Sequence, residues 1–241
     1  MAPGSGPFRP RLTPATLDTW LVRRSIAKAL WANLHRLSGT VLDVGCGFKP
    51  YRGPVLASPS RAQRYVGLDL WCNAYGLPDL AWDGRSIPLS DGSVDGVLLT
   101  EVLEHCTDPG SVLSECGRVL RPGGIVFVTI PFLWPLHEVP RDEQRLTPFA
   151  LDRLLRTAGL VIVEMKALGG WDAALAQMLG LWVRRRMSGT AVKRALRTVL
   201  SPLLWPVIAA LSHLDVLPHG FHEGTMITGL AAVATKPSTS E

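Results

Sequence analysis

The sequence predicts an α/β fold: a mainly parallel sheet of seven strands, led by a helix and interrupted by a helical insert before the last strand. Three observations predict it. Six short apolar runs, TVLDV (40–44), RYVGLD (64–69), DLAW (79–82), DGVLLT (95–100), GIVFVTI (124–130) and VIVEMKAL (161–168), are each bounded by turn residues. Stretches of helical character alternate with them, the pattern of parallel strands joined by crossovers. A seventh run, MITGLAAVAT (226–235), follows a long segment of helical periodicity and can supply a last strand.

The elements follow in order. Thr13 and Pro14 form an N-cap and first-turn pair, and Leu17, Trp20, Leu21, Leu30 and Leu34 recur at helical spacing. Residues 14–37 are therefore expected as an amphipathic helix, ended by Ser38 and Gly39. The opening MAPGSGPFRPRLTP has no apolar stretch behind a basic start and reads as a frayed tail, not a signal peptide. Ser111 to Leu120 is expected as a crossover helix stopped by Pro122-Gly123-Gly124. Another is expected over 147–158, with Thr147 as cap, Pro148 in the first turn, Leu151, Leu154 and Leu155 on one face, and Gly159 at its end.

Residues 171–217 change character. Leu175, Met178, Leu179, Trp182 and Val183 mark an amphipathic helix that ends in Arg184, Arg185 and Arg186. Lys193, Arg194 and Arg197 then precede TVLSPLLWPVIAALSHL (198–214), which is short for a membrane span and is expected to be broken by Pro202 and Pro206. A packed helical cap and an interfacial membrane-docking element both fit this insert. The domain organisation so read is a disordered tail (1–13), a leading helix (14–38), a core (39–170), the insert (171–217) and a final strand region (218–236).

Composition sets limits on partners. The 241 residues carry 25 Lys and Arg against 20 Asp and Glu, a net charge of +5 that is too mild to imply nucleic acid without a concentrated patch. Cys46, Cys72, Cys106 and Cys116 form no CxxC pair and no zinc spacing, so a reducing cytoplasm fits better than a disulfide framework.

Chemistry concentrates where strands end. Val41 to Gly47, VLDVGCG, runs a strand into a glycine turn at the sheet edge where such folds bind nucleotides. Asp43 beside that turn suits a cationic amino group better than a pyrophosphate. Pro50, Gly53 and Pro54 also disturb the helix whose N-terminus a phosphate would need. Asp69 closes the second strand, where a carboxylate accepts both hydroxyls of a ribose. Asp83 follows the third strand and can accept from an adenine amino group, with Leu70 or Trp71 covering the ring.

VLDVGCG, YVGLD, WDGRSIPLSDGSVDGVLLTEVLEH and RVLRPGGIVFVTIPF together resemble the successive motifs of the class I S-adenosylmethionine-dependent methyltransferases, in their type 11 branch. The resemblance covers roughly residues 40–168 and resumes at the last strand. It implies a Rossmann-like seven-strand sheet and S-adenosylmethionine as cofactor. Carried over by position, Asp43, Gly45, Cys46 and Gly47 would hold the methionine end, Asp69 the ribose, Asp83 and Gly84 the adenine, and Thr100 would lie beneath the methionine. Lys49 stands where the family's third glycine is usual, which puts the helix after this loop in doubt.

For methyl transfer to a hydroxyl, the candidate base comes from PFLWPLHEVPRDEQRLTP (131–148): His137, titratable near neutrality. Asp142 and Arg145 either orient the acceptor or pin this loop as an ion pair, and the pin is favoured. EVLEH (101–105) is expected to begin the helix after the fourth strand. With His137, its Glu101, Glu104 and His105 resemble the glutamate and histidine set by which ubiquinone-type and small-RNA-terminal O-methyltransferases hold a divalent metal. GCGFKPYR and LHEVPRDEQRLTP resemble methyltransferases of bacterial polysaccharide and glycolipid assembly. The expectation is O-methylation of a small-molecule, glycan or lipid-linked acceptor by a cytoplasmic enzyme, with the insert able to touch the inner membrane face. The alternatives are methylation at nitrogen or carbon of a secondary metabolite, and a noncatalytic subunit of a membrane glycan assembly. An NAD-linked oxidoreductase is disfavoured by Asp43 and the broken helix.

Overall fold

In the computed structural model, residues 10–73 and 75–238 are described, so most of the expected tail lies outside them. The chain forms two compact units. One comprises residues up to Lys28 with Ala167–Thr228, the other Ala29–Lys166 with Gly229 onward.

The second unit carries a seven-stranded sheet: β1 (Ser38–Val44), β2 (Arg61–Leu70), β3 (Leu80–Trp82), β4 (Val94–Thr100), β5 (Leu120–Pro131), β6 (Val161–Ala167) and β7 (Gly229–Thr235), in the order β3-β2-β1-β4-β5-β7-β6. β1 pairs in parallel with β2 and β4, β2 with β3, and β4 with β5, while β7 runs antiparallel to β5. The parallel strands are apolar on both faces because both are covered. Val41, Leu42, Val44, Leu68, Leu98, Leu99, Val126 and Val128 are all fully buried.

Crossovers begin where side chains cap them. Asp108 accepts from the amide of Ser111 at 3.1 Å ahead of Pro109, which starts α3 (Pro109–Val119), two residues before the expected Ser111. Thr147 does the same for Ala150 at 3.2 Å, starting α4 (Pro148–Thr157). The helix after the first glycine turn, α2 (Arg52–Val55), is a single turn.

Three expectations are corrected. The leading helix, α1 (Trp20–Asn33), becomes regular six residues after Pro14. Thr13 and Thr16 bond each other's hydroxyls and neighbouring backbone instead, offering the chain a turn in competition with helix. EVLEH starts no α-helix: Glu101 has φ +56, a left-handed conformation incompatible with helix continuation, and only Leu103–His105 forms a 3₁₀ turn. Pro202 and Pro206 do not break the second insert helix, which runs unbroken from Ala191 to Leu214.

The other unit holds two insert helices, α5 (Trp171–Leu181), continued by a π-helical turn over Trp182–Arg186, and α6 (Ala191–Leu214). Its core gathers Leu17, Trp20, Leu21, Ala173, Ala176, Val183 and Ile208, with Leu200, Leu204 and Leu211 packed against them. This apolar packing of α6 outweighs the intrinsic cost of its two prolines. Gly180 permits the closest approach, since a Cβ there would lie 2.1 Å from the Leu17 carbonyl oxygen. Residues 10–12 are held too: Trp20 Nε1 donates to Pro10 O at 3.2 Å and Trp205 Nε1 to Leu12 O at 3.1 Å.

Candidate active site

Asp43, Asp69, Asp83 and Thr100 stand at or just beyond the carboxyl ends of β1, β2, β3 and β4, four neighbouring strands. That edge is where open parallel sheets place ligands, at the point where strand order reverses beside β1.

The glycine turn is folded onto the end of β2. Gly45 and Gly47 have φ of +70 and +49, and a Cβ on Gly45 would come within 2.6 Å of Val102 Cγ2. Glycine meets both demands without strain. The amides of Gly45 and Cys46 donate to Leu68 O at 2.8 and 3.1 Å, and that of Gly47 to Asp69 Oδ2 at 2.8 Å. Asp69 Oδ1 accepts from the Leu70 amide at 2.7 Å. Each carboxylate oxygen keeps a further lone pair for a ligand hydroxyl.

Asp43 is fully buried. Its Oδ2 accepts from the Tyr65 hydroxyl, and its Oδ1 has no hydrogen-bond partner among the described residues. Desolvation pushes its pKa up to about 7, against the Tyr65 hydrogen bond. A buried carboxylate with one oxygen unspent is a receptor for a cationic group, which would restore its charge. Burial, with Asp43 nearby, also pushes the Cys46 thiol up to about 12, so Cys46 supplies backbone to this turn and no thiolate.

Sequence reasoning missed Tyr65. The available signal was register: Tyr65 pairs with Val41 on the adjacent strand, one position diagonal to Asp43, with two-residue spacing keeping them on one face. Lys49, at the unusual position of the glycine turn, adopts φ +54 itself. Its Nζ reaches Asp79 Oδ1 at 2.6 Å, and Asp79 Oδ2 accepts from the Gly67 amide at 2.8 Å, tying the turn to the chain before β3.

Asp83 is exposed, and its Oδ1 holds its own turn by accepting from the amides of Arg85 and Ser86, both at 2.8 Å. Leu70 adjoins Gly84, where a Cβ would lie 3.6 Å from Leu70 Cδ2, whereas Trp71 is exposed. Thr100 sits nearly buried at the end of β4.

A second cluster lies after β4 and β5. The loop following β5 is laid on the 101–106 turn: the amides of Glu143 and Gln144 donate to Glu104 O, and Gln144 Nε2 to Leu103 O and Cys106 O. Asp142 and Arg145 form the bidentate pair favoured from sequence, at 2.6 and 2.9 Å, and Arg145 holds the Asp142 carboxyl below the usual range.

Glu104 is fully buried, and neither carboxylate oxygen has a hydrogen-bond partner among the described residues. Burial, then the neighbouring Glu101 charge, raises its pKa well above normal. Two imidazoles face it: His105 Nε2 at 3.8 Å and His137 Nε2 at 3.9 Å from Oε1. Their rings stack edge to face with centroids 4.7 Å apart. His105 Nδ1 is hydrogen-bonded to Arg141 O at 2.9 Å, and His137 Nδ1 lies 3.3 Å from Asp142 Oδ2 without hydrogen-bond alignment. Burial, then His105, lowers the His137 pKa, which favours the neutral imidazole. Glu104, His105 and His137 offer ligand atoms within 4.8 Å of one another, enough to hold a cation.

Residues 42–128 match the family model of the methyltransferase domain. The chain is 35% identical over 146 residues to a Mycolicibacterium smegmatis protein named "Probable S-adenosylmethionine-dependent methyltransferase", the match covering 54% of this chain and 55% of that one. It is 32% identical over 160 residues to a Cupriavidus pinatubonensis ubiquinone biosynthesis O-methyltransferase, covering 53% and 62%. The match thus spans little more than half the length of these relatives. The fold is similar to that of an S-adenosylmethionine-dependent methyltransferase from Mesorhizobium loti, with TM-score 0.53 and 17% identity over 89% of this chain and 99% of that one. In its ordered motifs and its strand order the chain is similar to the class I S-adenosylmethionine-dependent methyltransferases, with residues 42–128 matching the type 11 methyltransferase domain.

Proposed function

We propose that this protein transfers the methyl group of S-adenosylmethionine to a hydroxyl oxygen of a small-molecule, glycan or lipid-linked acceptor. The observation that carries the reading is the row of Asp43, Asp69, Asp83 and Thr100 along one sheet edge, with His137 on the loop after the next strand. Asp43 Oδ1 suits the cofactor's ammonium, and Asp69 suits the ribose hydroxyls. Leu70 and Gly84 offer the adenine a surface. The name of the Cupriavidus relative favours oxygen as the accepting atom. The free cysteines suit a cytoplasmic setting.

In the reaction the acceptor oxygen attacks the sulfonium methyl, the C–S bond breaks as the O–C bond forms, and the thioether leaves neutral. Alignment supplies most of the rate. The acceptor's proton goes to His137 Nε2, and the Asp142 carboxylate beside Nδ1 stabilises the imidazolium.

A second reading is favoured by the bare Glu104 carboxylate. Glu104, His105 and His137 fit a divalent cation: both imidazoles direct Nε2 at Glu104, and each Nδ1 has a carbonyl or carboxylate beside it, the supporting arrangement of metal-bound histidines. A cation there would lower the acceptor hydroxyl's pKa.

The test is methyl-labelled cofactor presented with phenols, sugars and glycolipids, with product analysed by mass spectrometry. O-methyl product is expected; N-methyl or C-methyl product only would overturn the choice of oxygen. Dialysis against chelator separates the two modes of activation. Turnover unchanged by chelation supports His137 as sole base, and loss restored by Mg²⁺ or Mn²⁺ supports the cation.

A further inference from the structure

Among the described residues, α6 is the one helix long and apolar enough to cross a membrane, yet one of its sides belongs to a protein core. Ser201 and Ile208 are buried, with Leu200, Leu204 and Leu211 partly covered beside them. On the opposite side Val192, Leu196, Val199, Leu203, Val207 and Leu214 succeed one another at spacings of three, four and seven, and all are exposed, Leu203 by 62%. This is an unbroken apolar stripe along a helix of 24 residues, about 36 Å. α5 repeats the arrangement: Trp171, Leu175, Met178 and Trp182, at spacings of four, three and four, are exposed while Ala173, Ala176 and Gly180 face inward.

The charges are as one-sided as the apolar groups. From Ala173 to Leu214 the chain has six Lys and Arg and no Asp or Glu. All six lie between Arg184 and Arg197, at the end of the π-helical turn and in the first two turns of α6. Cations at a helix N-terminus oppose the helix dipole, so α6 itself gains nothing from Lys193, Arg194 and Arg197. Arg184 and Arg185 approach Asp18, whereas Arg186, Lys193 and Arg197 make no ion pair among the described residues.

We propose that this helical unit docks on an anionic phospholipid surface, with the α6 stripe in the interface and the Arg184–Arg197 cluster on lipid phosphates. Charge complementarity selects that occupant. The same stretch of a second copy has no carboxylate to meet the cations, whereas a headgroup layer is a continuous source of anions. The helix lies on the bilayer and does not cross it. Its packed side is unavailable to lipid, and Pro202 and Pro206 leave the carbonyls of Thr198 and Pro202 without helical donors, which interfacial water can satisfy and hydrocarbon cannot. The proposal is independent of the methyl-transfer reading and adds to it a surface where a lipid-linked acceptor would be met.

The test is sedimentation of the full chain with vesicles of phosphatidylcholine, alone or mixed with phosphatidylglycerol, alongside light scattering for oligomeric state. Binding to the mixed vesicles only, weakened by salt, is expected. Leu196→Glu with Leu203→Glu should abolish it. Arg186→Gln with Lys193→Gln and Arg197→Gln should weaken it on the order of a hundredfold. Unchanged melting temperature and cofactor affinity would show that both variants are folded. A wild-type chain that stays in the supernatant, that binds neutral vesicles equally, or that forms a dimer which the Leu196→Glu and Leu203→Glu pair dissociates, overturns the proposal.

Discussion

Replacing Asp69 by alanine is expected to weaken S-adenosylmethionine binding by about a hundredfold. The carboxylate is assigned both ribose hydroxyls, and a hydrogen bond to a charged group contributes about 1.5–3 kcal/mol. It also accepts from the amides of Gly47 and Leu70, so its removal releases the glycine turn from β2 as well. Titration calorimetry on wild type and variant checks this. Near-normal affinity in the folded variant would place the ribose elsewhere.

Replacing His137 by alanine should lower turnover by about 10²–10⁴-fold, the range that general-base catalysis supplies, with cofactor affinity unchanged. The imidazole belongs to the loop after β5, whereas the residues assigned to the cofactor stand on the ends of β1 to β4. Single-turnover kinetics with saturating cofactor is the measurement. Full turnover in the variant would remove His137 from the chemistry, and a parallel loss of cofactor affinity would show that it acts by shaping the cleft.

Much of the fold was legible because strands buried on both faces are written as continuous apolar runs between turn residues, as in VLDV and IVFVTI. The aspartates at strand ends were legible as well, since a strand's end can be read from the turn that follows it. What escaped was set by backbone conformation and by contacts between distant segments. Glu101 in a left-handed conformation ends β4 in a tight corner, and no propensity for EVLEH announces that. The helix through Pro202 and Pro206 persists because Ile208 and Leu204 have a core to enter, a fact that resides in α5 and in Leu17. Tyr65 on Asp43, and Lys49 spanning to Asp79, each depend on strand register or loop closure. The grouping of His105 and His137 with Glu104 was legible through resemblance, whereas its geometric cause was not: backbone amides at Glu143 and Gln144 lay the loop after β5 over the 101–106 turn. Sequence spacing alone carries none of these.

The central claim is that the edge built from Asp43, the glycine turn and Asp69 binds S-adenosylmethionine. Titration calorimetry of the intact, folded chain with S-adenosylmethionine and S-adenosylhomocysteine tests it most directly. Saturable binding of both in the micromolar range, one molecule per chain and lost in Asp69→Ala, is the predicted result. A folded chain that binds neither ligand would contradict the account.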